Sequence, residues 1–363
     1  MKLNNKKTIS ACLILLILII SGIFFYNYNL HNTLKEKKQL TKKDSINISE
    51  SKSGFFLGTY INIKIYGNKD DKIFDNCFSI LKNIENKMSV NISSSEISKI
   101  NKKSNNLEIK VSPETFYVIK KGKDYSKLSK GNFDISIGPL VNLWAINSDN
   151  PKVPSKQEIQ EALSTISYND ILLNESKNTV KLKKQNMKID LGGIAKGYAA
   201  DKLTKYLEKE GIKSAILDLG GNIYALGNNS KDKPWKIGVQ APLEKRGEYL
   251  GILNISNKSI VTSGIYERNF IKNNKTYHHI LSPFTGYPVE NSLISTTIVS
   301  NKSIDGDALS TAIFSLGIED GLKLVESIEN IDAILVNDKK EVFTTSGFKE
   351  NFKVTNTDYK IKN

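Results

Sequence analysis

The chain is poor in cysteine and histidine. Its 363 residues include two cysteines, Cys12 and Cys77, and three histidines. No disulfide framework can be drawn from one cysteine in an apolar N-terminal run and one elsewhere. The chain also lacks a Walker P-loop and a GxGxxG dinucleotide fingerprint, and no repeat with a period of about 20 to 50 residues is present. Disulfide-rich and repeat architectures are therefore excluded.

Acidic residues are outnumbered by basic ones, which gives a net charge of +14 and a pI near 9.3. Such a charge can favour nucleic acid, an anionic membrane or a phosphate-bearing ligand. The lysines are spread along the chain, without a dense basic block or a nucleic-acid-binding motif. We therefore interpret the charge as solvated surface and predict no nucleic-acid partner.

An uncharged run of 18 residues, 9–26, follows Lys2, Lys6 and Lys7. As a helix it would span about 27 Å, close to the hydrocarbon thickness of about 30 Å. Since Ser21 and Gly22 make a poor processing site, we predict a retained transmembrane anchor rather than a cleaved signal sequence. The predicted organisation places the folded domain outside the cytoplasm. Its parts are an anchor (1–27), a polar tether (28–53), a folded domain (54–350) and a polar tail (351–363).

The hydrophobic pattern predicts an α+β fold. Alternating apolar residues predict a strand at 58–67, and apolar residues at helical spacing predict a helix at 72–89. Antiparallel pairing is expected across 213–300. Further helices are predicted at 113–129, 197–210 and 307–325, and further strands at 186–191, 213–219, 235–240, 251–255, 277–281 and 294–300.

The segment KIDLGGIAKGYAADKL (188–203) suits an anionic ligand. A predicted strand ends in Asp190, two glycines open a turn, and a helix follows with Lys196 in its first turn. Glycines allow close approach of the backbone, and amides at a helix start can hold phosphate oxygens. The same turn also occurs without any ligand, so the segment alone does not decide.

The segment IDGDALSTAIFSLG (304–317) offers metal ligands. Asp307 and Thr311 are four residues apart and therefore share one helix face. Both provide hard oxygen ligands and no cysteine or histidine cluster accompanies them, which favours magnesium over zinc. The alternative is ordinary N-capping of the helix by Asp305 or Asp307.

Adjacent histidines occur in YHHILSPFTGYP (277–288). If this is a strand, His278 and His279 point to opposite faces, so only one can serve a site. A histidine could deprotonate an acceptor hydroxyl, although a structural role is the alternative. In GNFDISIGPLVNLW (131–144), Phe133 and Trp144 could line the pocket of a flat cofactor or belong to the core.

These segments, in this order, resemble the ApbE family of FAD:protein FMN transferases. The resemblance runs from about Phe56 to Phe343. It is carried by FLGT (56–59), MSVNISSSEISKIN (88–101), GNFDISIGPLVNLW (131–144), DLGGIAKGYAAD (190–201), DLGGNIYALG (218–227), KPWKIGVQ (233–240), TSGIYERNF (262–270), HHILSPFTGYPV (278–289) and DALSTA (307–312).

The resemblance implies an ApbE-type α+β fold, T-fold-like, with mixed sheets and helices. It implies FAD as substrate and Mg²⁺ as cofactor, with the ion on Gly193, Asp307 and Thr311 and His279 as the base. The FAD contacts it implies are Leu57, Asn91, Asn132, Phe133, Asp134, Asp190, Lys196 and Ile280.

The implied reaction transfers the FMN half of FAD to a threonine or serine hydroxyl, forming a phosphoester and releasing AMP. The implied partners are extracytoplasmic flavin acceptors, such as Rnf- or Nqr-type redox subunits and FMN-binding domains. Two departures from the family pattern are Asn91, where tyrosine is usual, and Ser282, where aspartate is usual. Family members with asparagine at this position resemble FAD pyrophosphatases, so hydrolysis of FAD to FMN and AMP is one alternative. A flavin-binding surface protein without turnover is another.

Overall fold

The structure is a computed structural model that describes residues 24–31, 35, 49–67, 70–103, 106–245, 247–348 and 351–362. The predicted anchor lies mostly outside these ranges, which include only its last residues, at the start of the helical segment 24–31. Within the described ranges, no helix combines the length and the apolar character needed to cross a bilayer.

The described residues alternate between strands and helices along the chain. The strands are β1 Ser49–Phe56, β2 Thr59–Tyr66, β3 Glu108–Lys110, β4 Ile171–Asn174, β5 Thr179–Leu182, β6 Ser214–Asp218, β7 Asn222–Gly227, β8 Trp235–Gln240, β9 Tyr249–Ile255, β10 Lys258–Gly264, β11 Asn269–Lys272, β12 Lys275–His278, β13 Leu293–Ser300, β14 Ile331–Asn337, β15 Glu341–Thr344, β16 Phe352–Val354 and β17 Lys360–Lys362. The α-helices are α1 Lys72–Met88, α2 Glu96–Lys102, α3 Pro113–Leu128, α4 Gly138–Trp144, α5 Lys156–Leu163, α6 Ala195–Lys209, α7 Ser303–Leu316 and α8 Ile318–Glu326. Short 3₁₀ turns occur at Tyr168–Asp170 and Ser346–Phe348.

A nine-stranded mixed sheet forms the framework, in the order β1-β2-β6-β7-β10-β13-β14-β15-β17. Its neighbours pair antiparallel except β15 and β17, which are parallel. The smaller sheets are β16-β9-β8, β3-β5-β4 and β11-β12. The α+β class and the antiparallel pairing expected across 213–300 are confirmed.

Both faces of the large sheet are covered. Along β14, Ala333 and Leu335 join the core shared with the helices, whereas Ile334 and Val336 join the core beneath β8 and β9. All residues of β13 are buried. A strand enclosed on both sides reads as a continuous apolar or hydroxyl-bearing run rather than as clean alternation.

The strand predicted at 186–191 is wrong. The segment forms only an isolated bridge, between Lys188 and Ile137. The backbone N–H and C=O of Ile189 instead bond to the side chain of Asn101, at 2.7 and 2.9 Å. Because a side chain satisfies these backbone groups, no strand ladder forms.

The single helix predicted at 307–325 is two helices, α7 and α8. Gly317 separates them with φ +85° and ψ −173°, a conformation that favours glycine. The carbonyl oxygen of Phe314, near the end of α7, accepts a 2.7 Å bond from Asn291. The strand predicted at 277–281 likewise ends early, at His278.

Strands lie beyond both predicted domain limits, residues 54 and 350. The first strand of the large sheet begins at Ser49, inside the segment predicted as tether. In the predicted tail, β16 pairs with β9 and β17 pairs with β15, and Tyr359 between them is buried. Both ends of the described domain thus contribute strands.

Candidate active site

A cavity of about 2,100 Å³ opens where the tip of the β1–β2 hairpin, the N-terminal end of α6, the segment after β12 and helix α7 meet. Small-molecule sites usually measure about 300–1,000 Å³, so this cavity exceeds what one ligand needs. The site residues that the family resemblance implies all line it. They are Leu57, Asn91, Asn132, Phe133, Asp134, Asp190, Gly193, Lys196, His279, Ile280, Asp307 and Thr311.

The turn before α6 brings Gly193 close to α7. A methyl group built on Gly193 would lie 3.0 Å from Cε2 of Phe133 and 3.5 Å from Oγ1 of Thr311. A side chain there would press on Phe133, which explains the glycine. Asp190 shapes the same turn, because its Oδ1 accepts a 2.7 Å bond from the amide of Gly192. Burial raises the pKa of Asp190 above its ordinary value.

Asp307 is 4% exposed and its two carboxylate oxygens have different surroundings. Oδ2 accepts a 2.8 Å bond from the amide of Gly197. Oδ1 lies 3.8 Å from Nζ of Lys196, beyond hydrogen-bonding distance. Neither Asp305 nor Asp307 caps α7, so that alternative is wrong; the first amides of α7 donate to Asp201 instead.

The donors near Gly193 suit a hard cation. They comprise a carboxylate, a hydroxyl and a backbone carbonyl, from Asp307, Thr311 and Gly193, all lining the cavity. Across the described ranges no cluster of three His, Cys, Asp or Glu residues could hold a metal ion. Magnesium commonly binds through one or two carboxylates together with substrate phosphates, so this donor set fits it.

His279 lines the cavity, whereas His278 is buried with Nε2 3.0 Å from the carbonyl oxygen of Val289. Of the two histidines, His279 is the one that lines the cavity. Nδ1 of His279 lies 3.1 Å from the carbonyl oxygen of Arg268. Because a carbonyl can only accept, this bond places the proton on Nδ1 and leaves Nε2 as the basic nitrogen.

Burial, together with the positive charges of Arg268 and Lys196, lowers the pKa of His279 to about 4, against the raising effect of the bond to the Arg268 carbonyl. The imidazole is therefore neutral at physiological pH. A neutral imidazole with an open nitrogen can accept a proton from a hydroxyl.

The tip of the β1–β2 hairpin is held from two sides. Leu57 and Gly58 have φ of 52° and 72°, although leucine rarely adopts positive φ. The amide of Leu57 donates to Oε1 of Glu85 at 2.9 Å, and Nη2 of Arg268 donates to the carbonyl oxygen of Gly58 at 3.0 Å. Such strain persists only where the surroundings enforce it, and here it directs Leu57 to the cavity.

The other predicted residues differ in their surroundings. Asp134 is buried, and its oxygens accept bonds from Ser136 and the amide of Tyr168. Asn91 is exposed at the cavity rim. Trp144 is fully buried and donates to the carbonyl oxygen of Gly286, so it belongs to the core.

Comparison with known proteins decides the family. A sequence profile described as the ApbE family matches residues 57–335. This chain belongs to the ApbE family. The FAD:protein FMN transferase of Klebsiella pneumoniae (strain 342) is 34% identical over 311 residues, covering 86% of this chain and 96% of that protein. The FAD:protein FMN transferase of Treponema pallidum (strain Nichols) is 29% identical, covering 84% and 89%. The predicted enzyme class, a transferase, is confirmed by these relatives.

Solved structures agree with the ApbE fold. The ApbE protein of Thermotoga maritima MSB8 has a TM-score of 0.77 at 32% identity, covering 83% of this chain and 98% of that one. The flavin transferase ApbE of Vibrio cholerae has a TM-score of 0.75 at 27% identity, covering 84% and 99%. The ApbE-type fold predicted from the sequence motifs is confirmed.

Three residues that position the site were missed from the sequence. Glu85 and Arg268 hold the hairpin tip, and Asp201 accepts the first amides of α7. Arg268 and Asp201 lie within segments that carry the family resemblance, yet their partners are distant in sequence. Their place in those segments was the one available signal.

Proposed function

We propose that this chain transfers the FMN half of FAD to a serine or threonine hydroxyl of a partner protein, with Mg²⁺ as cofactor. The observation that carries the proposal is that a neutral His279 and the oxygen donors of Asp307, Thr311 and Gly193 line one cavity in a member of the ApbE family. The volume of about 2,100 Å³ leaves room for a dinucleotide and an approaching acceptor chain.

The chain's own residues would divide the work of the reaction. Nε2 of His279 takes the proton of the acceptor hydroxyl, whose oxygen attacks the phosphorus of the FMN half. The bond from that phosphorus to the bridging oxygen breaks, AMP leaves, and a phosphoester links the flavin to the acceptor. Lys196, in the first turn of α6, would bind phosphate oxygens. When bound by Asp307, Thr311 and Gly193, Mg²⁺ would neutralise charge on the pyrophosphate.

Hydrolysis of FAD is a second candidate because Asn91 is exposed at the rim of the cavity. At a position where the family pattern has tyrosine, this small side chain covers less of a flavin. Water would then replace the hydroxyl as the attacking group, with FMN and AMP as products.

Intact mass spectrometry separates the two reactions. The full-length chain is incubated with FAD, Mg²⁺ and a candidate acceptor, such as an Rnf- or Nqr-type subunit or an FMN-binding domain. Transfer predicts an acceptor heavier by one FMN, and a chelator should prevent the gain. Free FMN and AMP beside an unmodified acceptor would instead support hydrolysis.

The anchor belongs to the same proposal. Residues 9–26 would hold the chain in the cell membrane, with Lys2, Lys6 and Lys7 inside and the catalytic domain outside the cytoplasm. An outward-facing enzyme would meet extracytoplasmic acceptors. Protease added to intact spheroplasts should digest the domain, and full protection of the domain would contradict this orientation.

A further inference from the structure

Helices α6 and α7 exchange hydrogen bonds at their N-terminal ends. The amides of Ser303 and Ile304, the first two of α7, donate to the carboxylate oxygens of Asp201 on α6 at 2.6 and 3.0 Å. In return, the amide of Gly197 in the first turn of α6 donates to Asp307 on α7 at 2.8 Å. Amides in a first turn have no partner within their own helix, so each helix completes the other.

The crossing between the two helices is tight. A methyl group on Gly197 would lie 2.6 Å from Cα of Ile304 and closer still to the carbonyl oxygen of Ser303. The backbones are therefore in direct contact where the exchange occurs. Asp201 does not line the cavity, so its hydrogen bonds serve the helix pair rather than a ligand.

The exchange of hydrogen bonds fixes the distance between Gly193 and the two residues of α7, Asp307 and Thr311, that line the site. Asp307 and Thr311 follow Ser303 on α7 by one and two turns, while Gly193 lies just before the start of α6. The candidate metal ligands therefore come from α7 and from the turn just before α6. A shift of α7 along α6 would separate Gly193 from Thr311, whose Oγ1 now lies 3.5 Å from the position of a methyl group built on Gly193.

We propose that Asp201 is a positioning residue for this metal site: by holding the first turn of α7, it keeps Asp307 and Thr311 within reach of Gly193. This inference rests on the proposed function, since it presumes that the three residues share an ion. Residues that orient metal ligands without touching the metal typically alter metal affinity by about 10- to 100-fold when substituted.

Asp201→Asn is the informative substitution. Each oxygen of the Asp201 carboxylate accepts a hydrogen bond from one backbone N–H, of Ser303 or of Ile304. An asparagine side chain has a single acceptor oxygen, and its NH₂ group would face the second backbone N–H. We expect Mn²⁺, bound in the presence of ADP and counted by electron paramagnetic resonance, to bind the full-length variant at least about tenfold more weakly. Amides 303–306 should also exchange hydrogen faster in the metal-free variant.

Ser155→Ala is the matched control. Ser155 caps α5 by accepting from the amide of Glu158, and it does not line the cavity. This variant loses a helix cap away from the cavity, so its Mn²⁺ affinity should equal that of the wild type. Thermal unfolding of both variants establishes that they are folded at the assay temperature.

Three results would overturn the inference. A folded Asp201→Asn variant with wild-type Mn²⁺ affinity would show that Asp201 does not position the site. Equal weakening in Ser155→Ala would show that general stability, not position, controls binding. If the wild-type chain bound no Mn²⁺ with ADP, the metal assignment of the proposed function would fail as well, and that outcome is distinct from the first two.

Discussion

Gly197→Ala sets helix propensity against packing. In an open helix, alanine is favoured over glycine by about 1 kcal/mol, so propensity alone predicts stabilisation. Here the added methyl would lie 2.6 Å from Cα of Ile304 and nearer to the carbonyl oxygen of Ser303. Overpacking typically costs about 1–3 kcal/mol, and these atoms belong to the backbone of α7 and cannot rotate away.

If the added methyl pushes α7 outward, it also weakens the hydrogen bond between the amide of Gly197 and the carboxylate of Asp307. The amide of Gly197 donates to buried Asp307, and hydrogen bonds to charged groups contribute about 1.5–3 kcal/mol. Part of this contribution is lost if α7 moves outward. We therefore expect net destabilisation by about 2 kcal/mol or more, which lowers Tm by roughly 2–4 °C for each kcal/mol.

Calorimetry of the metal-free chain measures the effect, with Gly122→Ala in α3 as the control. The three atoms nearest to the methyl of that variant belong to the side chain of Ile135, the closest at 2.7 Å. A side chain can shift more easily than the backbone of α7, so a smaller loss is expected. A Tm for Gly197→Ala at or above that of the wild type would refute the argument that close backbone contact fixes the two helices.

Three further predictions concern the reaction. His279→Ala should retain FAD binding in a fluorescence titration but slow transfer by about 10²–10⁴-fold. Because protonated His279 cannot act as a base, the acid limb of kcat/KM for the wild-type chain should lie near pH 4. Arg268→Ala removes a positive charge that lowers the pKa of His279, so it should move this limb to higher pH. Asp307→Ala should abolish Mg²⁺-dependent AMP release, and activity that survives it would contradict the metal assignment. Glu85→Ala leaves the amide of Leu57 unpaired, so it should cost about 1–3 kcal/mol in thermal unfolding and weaken FAD binding.

The local pattern of the sequence located some elements closely and misplaced others. Helix α1 was predicted at 72–89 and is observed at Lys72–Met88, since its buried face repeats at helical spacing. The segment 186–191 looked equally regular, but the side chain of Asn101 takes the place of a neighbouring strand. That partner lies 88 residues away, beyond any local pattern.

The site follows the same division. The spacing of Asp307 and Thr311 placed both on one helix face, and the family resemblance identified His279 as the candidate base. Neither argument could show that Leu57 is held at positive φ by Glu85 and Arg268, because these contacts depend on the tertiary fold. Residues that position a site were thus harder to identify than residues that line it.

The electrostatics of the site depend little on the excess of lysine. The carboxylates of Asp134, Asp201 and Asp307 are hydrogen-bonded mainly to backbone amides, although the chain has a net charge of +14. Amides bring donors without a full opposing charge, so they leave the negative charge of Asp307 in place. Among the described residues, Oδ1 of Asp307 faces only the more distant ammonium of Lys196, at 3.8 Å. A lysine paired closely with this oxygen would compete with a divalent cation, and the 3.8 Å separation leaves Oδ1 available to the Mg²⁺ that we propose.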